Sequence, residues 1–189
     1  PGVVRLADLF LHVRGLPILA GDATANVTTA LDLLARGARQ VLMVASPEAS
    51  IDRMLIYVEP SSFGRDSVLA AAASLARHLP IDVGMLVRDE EDDGYRDLLD
   101  LRNVSLRQHG LDIRTETFSG NATDAVRERL VTSDEQTLLV IGLSAPERCS
   151  ELVDDLQKLL REQPPAAVLF VSGRDREAQA QPYAAAFSL

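Results

Sequence analysis

The sequence is poor in the residues that most often carry chemistry. It has no tryptophan, 4% aromatic residues, three histidines and a single cysteine, Cys149. One cysteine excludes an internal disulfide framework and fits a reducing cytoplasm, and Cys149 reads as an inert thiol on a helix. His12, His78 and His109 share no short interval of the kind that puts two ligands on one helix face, so no metal site is expected. Serines are plentiful, but none stands in a Gly-x-Ser-x-Gly elbow, which argues against a hydrolase. The acidic stretch Asp89 to Asp93 lacks the spaced ligands and central glycine of a calcium loop and reads as solvated.

Positive charge is also short. The formal net charge is −9, and the basic side chains, almost all arginine, are scattered among acids rather than gathered in a patch. Such a field repels phosphate backbones and anionic lipid, so neither nucleic acid nor a membrane surface is an expected partner. Long hydrophobic runs are missing as well. The uncharged stretch Val68 to Ala76 is far below the roughly 20 apolar residues that span a bilayer. No basic leader followed by an apolar segment opens the chain. Pro1 stands where an initiator Met is usual, which predicts a processed, trimmed or excised chain.

What is present is enough for one ordinary domain and part of another. The 189 residues are 47% apolar and 25% charged, close to soluble globular averages, so a sizeable core can be buried. Between Arg53 and Gly173, short β-rich runs alternate with amphipathic segments, the pattern of repeated βαβ units. Strands are predicted at 53–58, 81–87, 111–118, 137–143 and 166–171. Helices are predicted at about 65–78, 94–109, 121–131 and 147–162. Pro80 ends the first helix, Gly110 caps the second, and Pro164-Pro165 stops the fourth. Strict alternation predicts an open, mostly parallel five-stranded sheet with helices on both faces and right-handed crossovers, an α/β fold of Rossmann-like type.

Residues 1–50 read as a partial α/β unit: runs at Leu9–Val13 and Leu16–Ala20, a helix at about 23–36, and a strand at 40–45. Leu9–Val13 matches Leu138–Gly142, and Gln40–Ala45 matches Ala166–Val171, with a helix between each pair, so the unit reads as an internal half-repeat. Ser46 to Ser50 is the expected joint. Residues 174–189 form an Ala/Gln-rich tail without clear period.

Residues 53–173 resemble a universal stress protein domain. The likeness rests on the opening strand ending in Val58-Glu59 and on the turn Pro60-Ser61-Ser62 before an Ala-rich helix. It also rests on the fourth strand ending in Val140-Ile141-Gly142 and on the closing Ala167 to Val171. The resemblance implies a five-stranded α/β fold, often dimeric through the last strand, with roles in stress response or regulation and no robust catalysis. Members of that family that bind ATP carry a run of spaced glycines after the fourth strand. Here no glycine follows Gly142 until Gly173, and Pro146 removes a further backbone donor. Those glycines let backbone N–H groups approach phosphates, so their absence points to the kind that takes no ATP. Glu59 stands where the family usually has aspartate.

The segment Gly15 to Thr24, a strand ending in Gly-Asp-Ala-Thr before a helix, is similar to the second half of nucleotide-binding regulatory domains that gate potassium channels and transporters. Both resemblances imply modules carried on the cytosolic ends of ion transporters.

The expectation is therefore a non-enzymatic, cytoplasmic regulatory domain without a cofactor, acting as a homodimer or on a partner. A transporter in cis, tethering it to the inner membrane through a preceding part, is one such partner. The alternative is a sensor of ATP, AMP or a cyclic dinucleotide, or a weak ATPase. Its cleft would be formed by Glu59, Ser61, Ser62, Val87, Gly142 and Ser144, where parallel strands end. Ser61, Ser62 and Ser144 are equally natural helix caps and turn residues.

Overall fold

The computed structural model describes residues 4–5, 16–21, 23–45, 48–58, 67–76, 81–89, 107, 112–131, 136–143, 150–162 and 165–172. The predicted strand at 9–13, most of the helix at 94–109, the Gly110 cap, the tail, the three histidines and Cys149 lie outside the described residues. So do Glu90 to Asp93 of the acidic stretch.

In chain order the elements are β1 (Val4–Arg5), β2 (Ile18–Ala20), α1 (Ala23–Ala35), β3 (Gln40–Val44), β4 (Ser50–Ile51) and β5 (Arg53–Val58). They continue with α2 (Ser67–Ala76), β6 (Asp82–Arg88), β7 (Ile113–Phe118), α3 (Ala122–Val131), β8 (Thr137–Leu143), α4 (Ser150–Glu162) and β9 (Ala167–Ser172). The strand over 53–58 and that over 137–143 have the predicted bounds, and the others differ by a residue or two. β-Branched and leucine-rich runs without alternation, as in Thr137–Leu143 and Ala167–Ser172, are buried along their whole length because helices cover both faces.

Among the described residues the main sheet has seven strands in the order β2-β3-β9-β8-β5-β6-β7, not the expected five. The two added strands come from the N-terminal unit. All neighbours run parallel except β3 and β9, which pair antiparallel with Leu42 opposite Leu169. The unit β2-α1-β3 thus stands to β8-α4-β9 as one parallel strand–helix–strand unit to another, meeting head to tail. The strand before α1 that pairs with β3 is Ile18–Ala20, while the expected strand Leu9–Val13 lies outside the described residues.

Two cores follow from that pairing, one on each face of the sheet, and each takes residues from both units. On one face of the sheet, Val27, Ala30, Leu31 and Leu34 of α1 pack with Leu156, Leu159 and Leu160 of α4 over Phe170, Val41 and Ile141. Gln157 Nε2 donates to Thr28 Oγ1 across the two helices at 3.3 Å. On the other face, Val68, Leu69, Ala72 and Leu75 of α2 cover Met54, Ile56, Met85, Val140 and Leu169. β9 is paired on both sides within the chain, by β8 and by β3. The dimer route through the last strand that the resemblance implied is therefore occupied in cis, because an edge already paired has no free N–H or C=O to offer a second copy.

Two helix ends show why the elements stop where they do. After α1, Gly37 adopts φ 106°. Its N–H donates to the Leu34 carbonyl, and that of Ala38 donates to the Leu33 carbonyl. This is the paired closure that a left-handed glycine makes at a helix end. Before α3, Gly120 turns the chain at φ 89°, and Asn121 Oδ1 accepts the Thr123 N–H at 2.7 Å. Asn121→Ala removes that cap and should lower stability by about 0.5–2 kcal/mol, read as a shift in urea midpoint at unchanged slope.

Candidate functional site

From β5 the chain proceeds to β6 and β7 on one side of the sheet and then returns to β8 on the other. The carboxyl ends of β5 and β8 are adjacent, with Tyr57 opposite Ile141. This is the point where strand order reverses, and open parallel sheets receive ligands in the crevice beyond such a point. The six residues expected to form a ligand cleft belong to this end of the strands. Glu59, Ser61, Ser62 and Ser144 lie outside the described residues, and two of the set can be followed.

Val87 lies near the end of β6, opposite Val58 and Thr117. Its side chain is fully buried in the core under α2, so it supports the strand end from below. Gly142, opposite Val171 on β8, lies beneath the first turn of α2. A Cβ built there would stand 2.5 Å from Val68 Cγ2 and 3.3 Å from Val68 Cγ1. Close helix–strand packing therefore accounts for this glycine, without any appeal to a phosphate. The small side chains Ala71, Ala72 and Ala73 let α2 lie close to the sheet.

A second recess, which sequence reasoning missed, opens at the opposite end of the same strands. It is a cleft of about 400 Å³ lined by Arg53, Asp82, Gly84, Asp112, Arg114, Glu116 and Arg129, with Met54, Leu55 and Val83. Register explains the grouping. Arg53 faces Asp82, Gly84 faces Arg114, and side chains two apart on a strand share a face. α3 covers this face farther along through Val126, which shares a core with Tyr57 and Phe118, and it brings Arg129 to the wall.

The cleft wall is tied together by polar contacts. Arg53 Nε donates to Thr137 Oγ1 at 2.9 Å, and its guanidinium also donates to the Arg129 carbonyl. Arg129 Nε donates to Glu116 Oε2 at 2.6 Å. That charge-assisted bond raises the Arg129 pKa above the ordinary guanidinium value against the opposing effect of burial, so Arg129 stays a cation at any working pH. No sequence signal marked these residues, because they are single polar positions on separate elements: Arg53 and Thr137 at strand starts, Glu116 within β7 and Arg129 on α3.

No family model matches the sequence, and no curated protein matches it either. Among solved structures, the chain is similar to a universal stress protein from Archaeoglobus fulgidus DSM 4304, with a TM-score of 0.60 at 13% identity. The fold is that of the universal stress proteins. The likeness covers 91% of this chain, a span wider than residues 51–173, so it takes in the N-terminal half-unit as well. The chain spans 66% of the length of that protein. Among the described residues, no helix is long and apolar enough to cross a membrane.

Proposed function

We propose that the chain is a non-enzymatic regulatory domain of the stress-response kind, acting by contact with a protein partner rather than by turnover of a nucleotide. The observation that supports this most is at the switch point. Gly142, the one glycine between Gly120 and Gly173, is taken up by packing against Val68 and is followed by Leu-Ser-Ala-Pro in place of further glycines. A phosphate needs several converging N–H groups with open space before them, and this stretch supplies neither the glycines nor an N–H at Pro146. The partner in this reading is a transporter in cis or a second copy of the chain. A second copy would use a surface other than β9.

The adjacency of the β5 and β8 ends favours a second reading, a nucleotide sensor using Glu59, Ser61 and Ser144. Thermal melts with ATP, AMP and cyclic dinucleotides separate the two. A ligand at a hundred times its Kd adds about 2.7 kcal/mol, or roughly 5–10 °C in Tm for a chain of this size. The expected result is no shift with any of them. A shift of that size, lost in Glu59→Ala, would replace the regulatory reading with the sensor.

A further inference from the structure

The cleft at the amino ends of β5, β6 and β7 lies at the far end of the sheet from the switch point and has no part in the reading above. Its floor is Gly84, in the interior of β6. Glycine weakens a strand, so its presence calls for a cause. Gly84 is not among the glycines with positive φ. A Cβ there would meet only Leu55 Cδ1, at 3.5 Å, and the Met54 carbonyl, at 4.0 Å. Both are ordinary contacts. Neither backbone conformation nor crowding demands a glycine, and its effect is to leave the floor of the cleft open. A mid-strand glycine with that effect marks a place where a ligand approaches the sheet.

The charges around that floor are balanced. Arg53, Arg114 and Arg129 face Asp82, Asp112 and Glu116. Some of this charge is used internally. Glu116 holds Arg129, and Arg53 is drawn to Thr137 and to the Arg129 carbonyl. Asp112 sits 3.9 Å from Arg107 at the exposed rim. Asp82 and Arg114 are different: among the described residues their side chains make no hydrogen bond or ion pair. They stand on neighbouring strands on one face of the sheet, with Gly84 beside both, directly opposite Arg114 and two residues along from Asp82.

We propose that this cleft binds a small zwitterion of the amino-acid type, its carboxylate on the Arg114 guanidinium, its ammonium on the Asp82 carboxylate and its body over Gly84. A guanidinium fork matches a carboxylate in a bidentate pair, and a carboxylate accepts from an ammonium equally well. A polyphosphate would meet three carboxylates here, and a polyamine three guanidinium groups, so only a ligand carrying both signs complements the lining. The volume of about 400 Å³ lies at the small end of the range of ligand pockets, the size of a free amino acid or a dipeptide.

The test uses the whole chain and the twenty common free amino acids, screened by thermal melt at millimolar concentration and followed by isothermal titration calorimetry. Inorganic phosphate and AMP serve as single-sign and nucleotide controls. At least one amino acid should raise Tm. Its Kd should weaken at least about tenfold in Arg114→Gln, the cost of one charge-assisted pair. Gly84→Leu, which fills the floor, should abolish binding. Gly84→Ala, whose methyl meets Leu55 at an ordinary distance, keeps the fold and should bind more weakly than the parent. Arg114 is exposed, so its variant folds whatever becomes of Gly84→Leu. The proposal fails if no amino acid stabilises the chain, if phosphate alone does, or if binding survives unchanged in Arg114→Gln and Gly84→Ala. Because the nucleotide melts probe the other end of the sheet, either proposal can fail without the other.

Discussion

Leu34→Ala should destabilise the entire chain by about 2–5 kcal/mol and lower a single calorimetric transition, although Leu34 lies in the N-terminal unit, far in sequence from β5 to β9. Leu34 is fully buried on α1 and belongs to the same apolar cluster as Phe170 of β9 and Leu159 of α4. Removing three of its carbons leaves a cavity against side chains from both halves, and a close-packed interior relaxes only in part around such a void. At roughly 2–4 °C per kcal/mol for a chain of this length, Tm should fall by about 5–20 °C. Differential scanning calorimetry decides the matter. Two transitions, of which only the smaller moves, would mean that β2, α1 and β3 fold by themselves and merely touch the rest.

Gly142→Ala should cost about 1–3 kcal/mol, the usual penalty for forcing a methyl group into a filled core. The new Cβ would stand 2.5 Å from Val68 Cγ2, nearer than two carbon atoms can rest, and Val68 is itself buried against the sheet. Either α2 moves away from β8 or Val68 leaves its rotamer. Val68→Ala removes both Cγ atoms and leaves a Cβ at 3.4 Å, so the double variant should recover part of the loss. A double-mutant cycle in urea should return a favourable coupling of about 0.5–3 kcal/mol. Simple additivity would mean that α2 shifts as a rigid body and that the contact does not set its position. The cycle also bears on function. If Gly142→Ala alters stability while partner binding is unchanged in the Val68→Ala background, the glycine serves the packing of the switch point and not a ligand.

The two sites differ in how far they could be read from the chain. The switch point was legible because it depends on the order of elements: a β-rich run ending in Val58-Glu59, a second ending in Ile141-Gly142, and helices between them place two parallel strand ends side by side. The purpose of Gly142 was not legible. Only the position of Val68 above it distinguishes a packing glycine from one that admits a phosphate. The amino-end cleft was invisible in the sequence, since Arg53, Asp82, Arg114 and Arg129 are separated by loops and helices and share no spacing. They meet because the parallel register sets Arg53 against Asp82 and Gly84 against Arg114. α3 then carries Arg129 back over β7 to Glu116.

The N-terminal unit shows where the boundary lies. Apolar runs at 16–20 and 40–45 around a helical pattern were enough to place β2, α1 and β3, because local periodicity reports which residues must be buried and at what pitch. The same signals do not name a strand's neighbour or its direction. A strand buried on both faces looks alike whether its partner runs parallel or antiparallel, and β3 and β9 each satisfy the pattern alone. Pairing them antiparallel lets α1 and α4 share one core over Phe170 and closes the edge of β9, which makes seven strands of an expected five. Burial pattern and turn chemistry are local and were determined by the sequence itself. Strand order, the antiparallel joint and the gathering of charges at the amino-end cleft arise from contacts between distant segments, and the tertiary structure alone decided them.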